Sequence, residues 1–314
     1  MAQLTRKRVI LIEAESSYGT DPTPAATDVV LVTDLSITPQ SSDVVNRDVV
    51  RPYLGSSEQL LANTRVECTF SVELAGSGTA GTAPRYGSAL KACGLSEVIS
   101  SGTSVTYSPV QTGFSSVTIH YNVDGVRHIV TGCRGTFELS AEVGAIPTIN
   151  FTFTGIYNAP TDTALPTVTY GNQATPLIFK KGNTTGFQLL SYNGALMSIS
   201  MDLGVTTVYR ELVGGTKEVL ITDRASNGSV TIEAPTIAQK DYFAAALTDT
   251  IATNGDDNIK FTHGTTAGNK VKLISSRVDI GDVAYGEADG IAMLEIPYSL
   301  VPSEAGDEFN LVFT

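Results

Sequence analysis

Gly76-Ser77-Gly78-Thr79-Ala80-Gly81 fits G-x-G-x-x-G, after a strand-like run and before a short helical one. Such a loop can cradle a pyrophosphate, because glycines let the backbone approach the phosphates and the first helical amides point at them. A dinucleotide site also needs a parallel βαβ unit whose helix opens on the glycines. Here Thr82-Ala83-Pro84 intervene and the next strands pattern as antiparallel hairpins, so the segment reads as a flexible surface loop at a subunit contact. His120, His128 and His263 are the histidines. His120 and His128 flank an expected hairpin, but two imidazoles without a nearby thiolate or carboxylate fall short of a metal set. Cys68, Cys93 and Cys133 are an odd count at wide spacing and read as free buried thiols. No G-x-S-x-G elbow is present. Asp256-Asp257 lies in a Gly/Asn turn and reads as a solvated loop, and Asp279, Asp282, Glu287 and Asp289 lack the spacing of a calcium loop. The expectation is no catalytic residue, no metal and no cofactor, and hence no enzyme.

The elements around these residues pattern mainly as β. Val66, Cys68, Phe70, Val72 and Leu74 alternate with Arg65, Glu67, Thr69, Ser71 and Glu73, the period of an antiparallel sheet covered on one side only. Strands are also expected at 29–32, 35–38, 44–51, 105–109, 117–123, 127–133, 136–142 and 148–155, with Asp124-Gly125 as a hairpin turn. Helices are expected over 85–93, closed by Gly94, and over 237–248. Residues 1–28 form an arm, because Pro22, Pro24 and Gly19 interrupt anything regular after a first short strand. An arm of this kind lies on its own body or on a neighbour.

Composition narrows the function class. The 314 residues hold 20 Lys plus Arg against 32 Asp plus Glu, a formal charge of −12. That balance argues against a protein that grips nucleic-acid phosphates, and against docking on anionic membranes. The apolar run Val9–Ile12 is too short for a signal peptide, which needs roughly 7–15 apolar residues, or for a membrane helix of about 20. Hydrophobic residues at 42% suffice for a core.

The second half repeats the first in pattern. Val45-Asn46-Arg47-Asp48-Val49-Val50 parallels Val208-Tyr209-Arg210-Glu211-Leu212-Val213, and Phe70-Ser71-Val72-Glu73 parallels Val230-Thr231-Ile232-Glu233. Tyr86 and Leu90 parallel Phe243 and Leu247, Phe137-Glu138-Leu139 parallels Val278-Asp279-Ile280, and Ile149/Phe151/Phe153 parallels Ala292/Leu294/Ile296. The chain thus divides into an arm (1–28), a first repeat (29–157), a Pro-rich linker (158–176) and a second repeat (177–314). Each repeat is an antiparallel β-sandwich or barrel flanked by one short helix.

The stretch from Lys7 to Pro24, KRVILIEAESSYGTDPTP, resembles the start of major tail tube proteins of long-tailed bacteriophages. The resemblance continues through Val45–Glu58 and Val66–Pro84 to Gly87–Leu95, and beyond the first third it is one of pattern. It implies a structural virion protein of the phage tail, made and assembled in the host bacterial cytoplasm. Its rings would stack into a hollow tube, around a tape measure protein during assembly and around double-stranded DNA during ejection. Tail terminator and baseplate proteins would bound the tube, and membrane binding is not expected. Another tail component of the same fold, such as a terminator or baseplate hub, is the alternative. Tubes of this kind generally carry six tube folds per ring, so a chain with two would close as a homotrimer with pseudo-six-fold symmetry. Under that implication Glu67, Glu73, Glu138, Glu142, Glu233, Asp279 and Glu295, which lie opposite the apolar positions, become candidates to line the lumen. The arm and the long loops at 52–63, 76–84 and 214–227 become candidate ring-to-ring contacts.

Overall fold

The computed structural model describes residues 3–248, 251 and 258–314; Asp256-Asp257 lies outside them. In chain order the strands of the first half are β1 (Arg8–Ala14), β2 (Thr33–Arg47), β3 (Glu58–Glu73), β4 (Leu95–Ser100), β5 (Ser104–Pro109), β6 (Val117–Val123), β7 (Val126–Glu142) and β8 (Thr148–Tyr157), with helix α1 at Gly87–Ala92. A two-residue β9 (Thr161–Asp162) follows. The second half holds β10 (Thr184–Leu189), β11 (Leu196–Asp202), β12 (Val205–Glu211), β13 (Lys217–Arg224), β14 (Asn227–Glu233), α2 (Tyr242–Ala246), β15 (Ile259–His263), β16 (Val271–Ser275), β17 (Val278–Ile280), β18 (Ala284–Ala288), β19 (Ile291–Leu300) and β20 (Asn310–Phe313). The protein is mainly β, as its alternation requires. The expected strands at 127–133 and 136–142 are one long strand with a register shift between Thr131 and Arg134. Such a bulge bends a strand without ending it.

A twelve-stranded antiparallel sheet has the path β17-β19-β14-β11-β7-β8-β3-β2, with β1 and β6 joined through the other half of β7. That path is one four-strand order read twice. β11, β14 and β19 take the places of β2, β3 and β8. β17 and β18, which share one edge of β19, together take the place of the second half of β7. The halves meet where β11 pairs with β7, Ser200 opposite Ser140 and Asp202 opposite Glu138.

Register corrects two of the sequence parallels. Glu73 pairs with Thr148 and Leu74 N donates to Pro147 O; Glu233 pairs with Met293 and Ala234 N donates to Ala292 O. Ile149, Phe151 and Phe153 therefore correspond to Leu294, Ile296 and Tyr298, two residues beyond the sequence match. By the same ladder Asp279, opposite Ser299, takes the place of Arg134, opposite Thr154. A period-two pattern looks the same after a slip of two, and only main-chain pairing fixes it.

The apolar side of this sheet is the core. Val66, Cys68, Phe70, Val72 and Leu74 are each at most 3% exposed, and Ile199, Met201, Val230, Ile232 and Ile296 are equally covered. The second layer is a six-stranded sheet, β10-β15-β16-β20-β5-β4. Rings connect the layers: Phe151 of the large sheet lies 6.5 Å from Tyr86, and Phe313 of β20 lies 6.0 Å from Tyr86 and 5.7 Å from Tyr107. Such aromatic pairs contribute about 0.5–1.5 kcal/mol each beyond area burial. The C-terminal strand β20 sits between β16 and β5, so strands of both halves form one sheet.

The helices are shorter than the sequence pattern suggests. The buried tyrosine of the second is Tyr242, whose hydroxyl donates to Leu189 O, as that of Tyr86 donates to Ala75 O. Tyr242 is thus the counterpart of Tyr86, whereas Leu247 is exposed. The glycine loop is no phosphate cradle and no free loop. Gly78 N donates to Gly268 O and Gly76 N to Asn269 Oδ1, and a Cβ on Gly76 would sit 2.1 Å from Gly268 O. The glycine is needed for a close crossing of two backbones.

Candidate functional site: a polar sheet face with two open edges

Hydrogen-bond register fixes which side chains share a face, because directly paired residues point the same way. One unbroken row runs Asp279, Ser299, Asn227, Asp202, Glu138, Asn150, Ser71, Thr33 across all eight strands of the path. The next row is Pro297, Ser229, Ser200, Ser140, Thr148, Glu73, and beyond it Glu295, Thr231, Ser198 and Glu142 stand side by side. Glu233 is opposite Met293, and Glu67 lies in a row with Arg134, Thr154 and Thr38. All seven acidic candidates therefore lie on one face, together with Asp202, which the sequence reading did not select. Glu138, Glu142, Glu233, Asp279 and Glu295 are exposed; Glu67 and Glu73 are half-buried. The face is otherwise largely Ser, Thr and Asn, with a hollow beside Glu233 and Met293 at one end. Among the described residues no three His, Cys, Asp or Glu could hold a metal ion. What this surface can do is present hydroxyls and negative charge over a wide area.

Its two basic groups are committed to the fold. Arg65 reaches Asp43 at 3.3 Å and Glu67 at 3.5 Å. Arg134 donates to Phe114 O at 2.9 Å, Ser115 O at 3.3 Å and Val219 O at 2.8 Å, and lies 4.7 Å from the Tyr18 ring. Tyr18 donates to Gly132 O and accepts from Val219 N. Burial first of all pushes its phenol above the ordinary value. Tyr18 belongs to the arm, and the arm lies on its own body. β1 pairs along β6, and the Glu15 carboxylate accepts from Gly19 N, Gly132 N, Ser116 Oγ and Thr118 Oγ1. His120 Nε2 meets Asp21 at 3.0 Å; burial lowers its pKa, against the opposing pull of Asp21. His128 instead lies edge-on to Tyr121, and His263 bonds Leu177 O and Thr184. The three histidines are not brought together. The thiols Cys68, Cys93 and Cys133 are free and buried, and burial pushes all three up, Cys68 to about 12.

Both ends of the eight-strand path are open. Among the described residues β2 pairs only with β3, and β17 and β18 only with β19. Two hairpins also leave the sheet at the same end, β2–β3 and β12–β13. Each carries the same cross-strand pairs: Arg47–Glu58 at 3.0 Å and Val45 opposite Leu60 in one, Arg210–Glu218 at 2.6 Å and Val208 opposite Leu220 in the other.

The model of the phage tail tube protein family matches residues 5–300. The chain belongs to the phage tail tube proteins. No curated protein is significantly similar to it. Tail tube proteins are structural parts of the virion tail that assemble with themselves and with other tail proteins, and this family is not one of enzymes. The broad polar face and the open ends of the strand path agree with such a role. Among the described residues no helix is long and apolar enough to cross a membrane. The sequence reading missed Tyr18, Arg134 and Asp202. The alternation of Thr38, Glu67 and Thr154 would have placed Arg134 on the polar face, but its carbonyl partners are nearby in space only.

Proposed function

We propose that three copies close a ring head to tail, that rings stack into the tail tube, and that the acidic sheet face lines the bore through which DNA leaves. The observation that carries this is the sheet path: one four-strand order twice, joined at β7–β11, with the same two kinds of edge left open at its ends. An interface between unlike faces closes when its rotation closes. Applying the β7–β11 junction between copies pairs β18 of one with β2 of the next. The in-chain pair Glu138–Asp202 then translates to Ala284 opposite Thr38, and Ser140–Ser200 to Gly286 opposite Ser36. Both translated pairs keep the polar side chains on the acidic face. Three copies give 3 × 8 = 24 strands around the bore, and neither end of the path stays open to unwanted pairing. In this reading residues 29–157 and 177–314 are the two repeats, joined by 158–176, and 1–28 is an arm bound to its own first repeat.

An acidic wall suits a conduit. A basic one would hold phosphates in a salt-dependent way, whereas like charge prevents adhesion at near approach, within a Debye length of ~8 Å. No specific contact with DNA, tape measure, terminator or baseplate protein is required of this face. The test is a double variant, Thr38→Cys with Ala284→Cys, oxidised and weighed by native mass spectrometry, with Ser140→Cys plus Ser200→Cys as the in-chain control. Closed covalent trimers are expected. Covalent dimers only, or an intact protein that stays monomeric while electron micrographs of the concentrated wild type show no rings, would end the proposal.

A further inference from the structure

We infer that rings join by seating the tip of hairpin β12–β13 in an apolar cleft at the opposite end of the sheet of a second copy, which rests on the ring reading above. The tip, residues 212–216, carries Leu212 at 55% and Val213 at 109% exposure, with Gly214 and Gly215 between them and β13. Nothing in the fold requires two adjacent bare aliphatics there, and Thr or Ser would serve a solvated turn better. The cleft has a volume of about 460 Å³ and is lined by Val143, Phe179, Phe187 and Leu196, with Lys180 and Lys181 at the rim. A neighbouring hollow of about 400 Å³ shares Val143 and Leu196 and adds Ile291 and Met293. Val143 and Ile291 are 51% and 53% exposed.

Register decides why the occupant is another copy. The hairpin leaves β11 after Asp202 and returns into β14 at Asn227. The cleft lies at the other end of the same strands, where Leu196 opens β11, Val143 follows the last residue of β7 and Ile291 opens β19. A tip and its own cleft therefore stand at opposite ends of one sheet. A shift of a whole copy along the strand direction carries one to the other, and repeating the shift extends a filament without closing it. Aliphatic burial supplies the attraction at about 25 cal/mol per Å². Charge is secondary: Lys180 and Lys181 have no acidic partner among the described residues, but Glu211 and Glu218 beside the tip already pair with Lys217 and Arg210.

Val213→Asp and, separately, Val143→Asp alter exposed positions, so each chain should fold and form rings as the wild type does. The concentration needed for tube growth, read by sedimentation and electron microscopy, should rise at least about tenfold. Val213→Cys with Val143→Cys should cross-link into species heavier than one ring, which neither single variant gives. Tubes of the Asp variants at the wild-type concentration, or a cysteine pair no more reactive than its singles, would overturn the inference while rings persist. If no ring forms even from the wild type, the ring reading falls and this inference with it.

Discussion

Hairpins β2–β3 and β12–β13 hold the same Arg–Glu and Val–Leu pairs, yet one is docked and the other is bare. In β12–β13, Val219 is fully buried, Ile221 packs against the core, and Tyr18 and Arg134 bond the backbone at Val219. At the matching side of β2–β3, Val44 and Leu61 are 52% and 57% exposed. The difference lies in what each hairpin meets. β12–β13 lies across β7, β8 and β3 of the first half of the chain, whereas among the described residues no such surface covers Val44 and Leu61 of β2–β3. On the ring reading, the missing surface is the second repeat of the neighbouring copy. One interaction then serves as tertiary structure inside the chain and as quaternary structure between chains.

The comparison breaks most visibly at Ile221 and Leu61, which hold matching places. Ile221→Asp should destabilise the isolated chain by ~2–3 kcal/mol in urea unfolding, since it puts a carboxylate into a packed apolar contact. Leu61→Asp should change chain stability by less than ~0.5 kcal/mol, but raise the concentration for ring formation at least about tenfold. Equal effects of both on chain stability would refute the asymmetry. Next in size, Arg134→Ala removes donors from three carbonyls and should cost ~2–3 kcal/mol, while Asp279→Ala, at the corresponding place of the second repeat, should leave chain stability within ~0.5 kcal/mol. Tyr18→Phe should cost ~1–2 kcal/mol by losing its bonds to Gly132 O and Val219 N. The Tyr18 phenol is raised above 10.0 in the folded chain, chiefly by burial. Its contribution is therefore fully present below pH 10.0 and fades as pH climbs through the folded value. The stability gap between wild type and Tyr18→Phe should shrink on that alkaline limb, and a gap that widens there would contradict the assignment. The smallest effects belong to the shared surface pairs: Arg47→Ala and Arg210→Ala should each change chain stability by less than ~1 kcal/mol, and a clearly larger value for either would show that the ion pairs, not the docked face, distinguish the hairpins.

The two faces of the large sheet were legible because burial on one side writes itself as alternation. Glu67, Glu73, Glu138, Glu142, Glu233, Asp279 and Glu295 come from strands far apart in sequence, yet period two alone put them on one surface. Alignment of the halves was less legible. Ile149 matches Ala292 as well as Leu294 on polarity, and Asp279 was set against Glu138 when its ladder position is that of Arg134. Helix α2 is shorter than its pattern for a related reason: the apolar residues at 237–248 keep helical spacing, but only Tyr242 is fully buried, with Phe243, Ala245 and Ala246 packed at the margin of the core. The in-chain contact of the glycine loop leaves no local signal, because its partner, Gly268, is distant in sequence.

The β class, the sidedness of the strands and the acidic character of one face are written in the sequence. Each follows from local choices, residue by residue, of what to hide from water. The register between the two halves, the burial of one hairpin and the exposure of its twin, and the ends at which tip and cleft stand come from tertiary structure. Those depend on main-chain bonds between distant strands, and a backbone hydrogen bond leaves no trace in the identity of the side chain beside it.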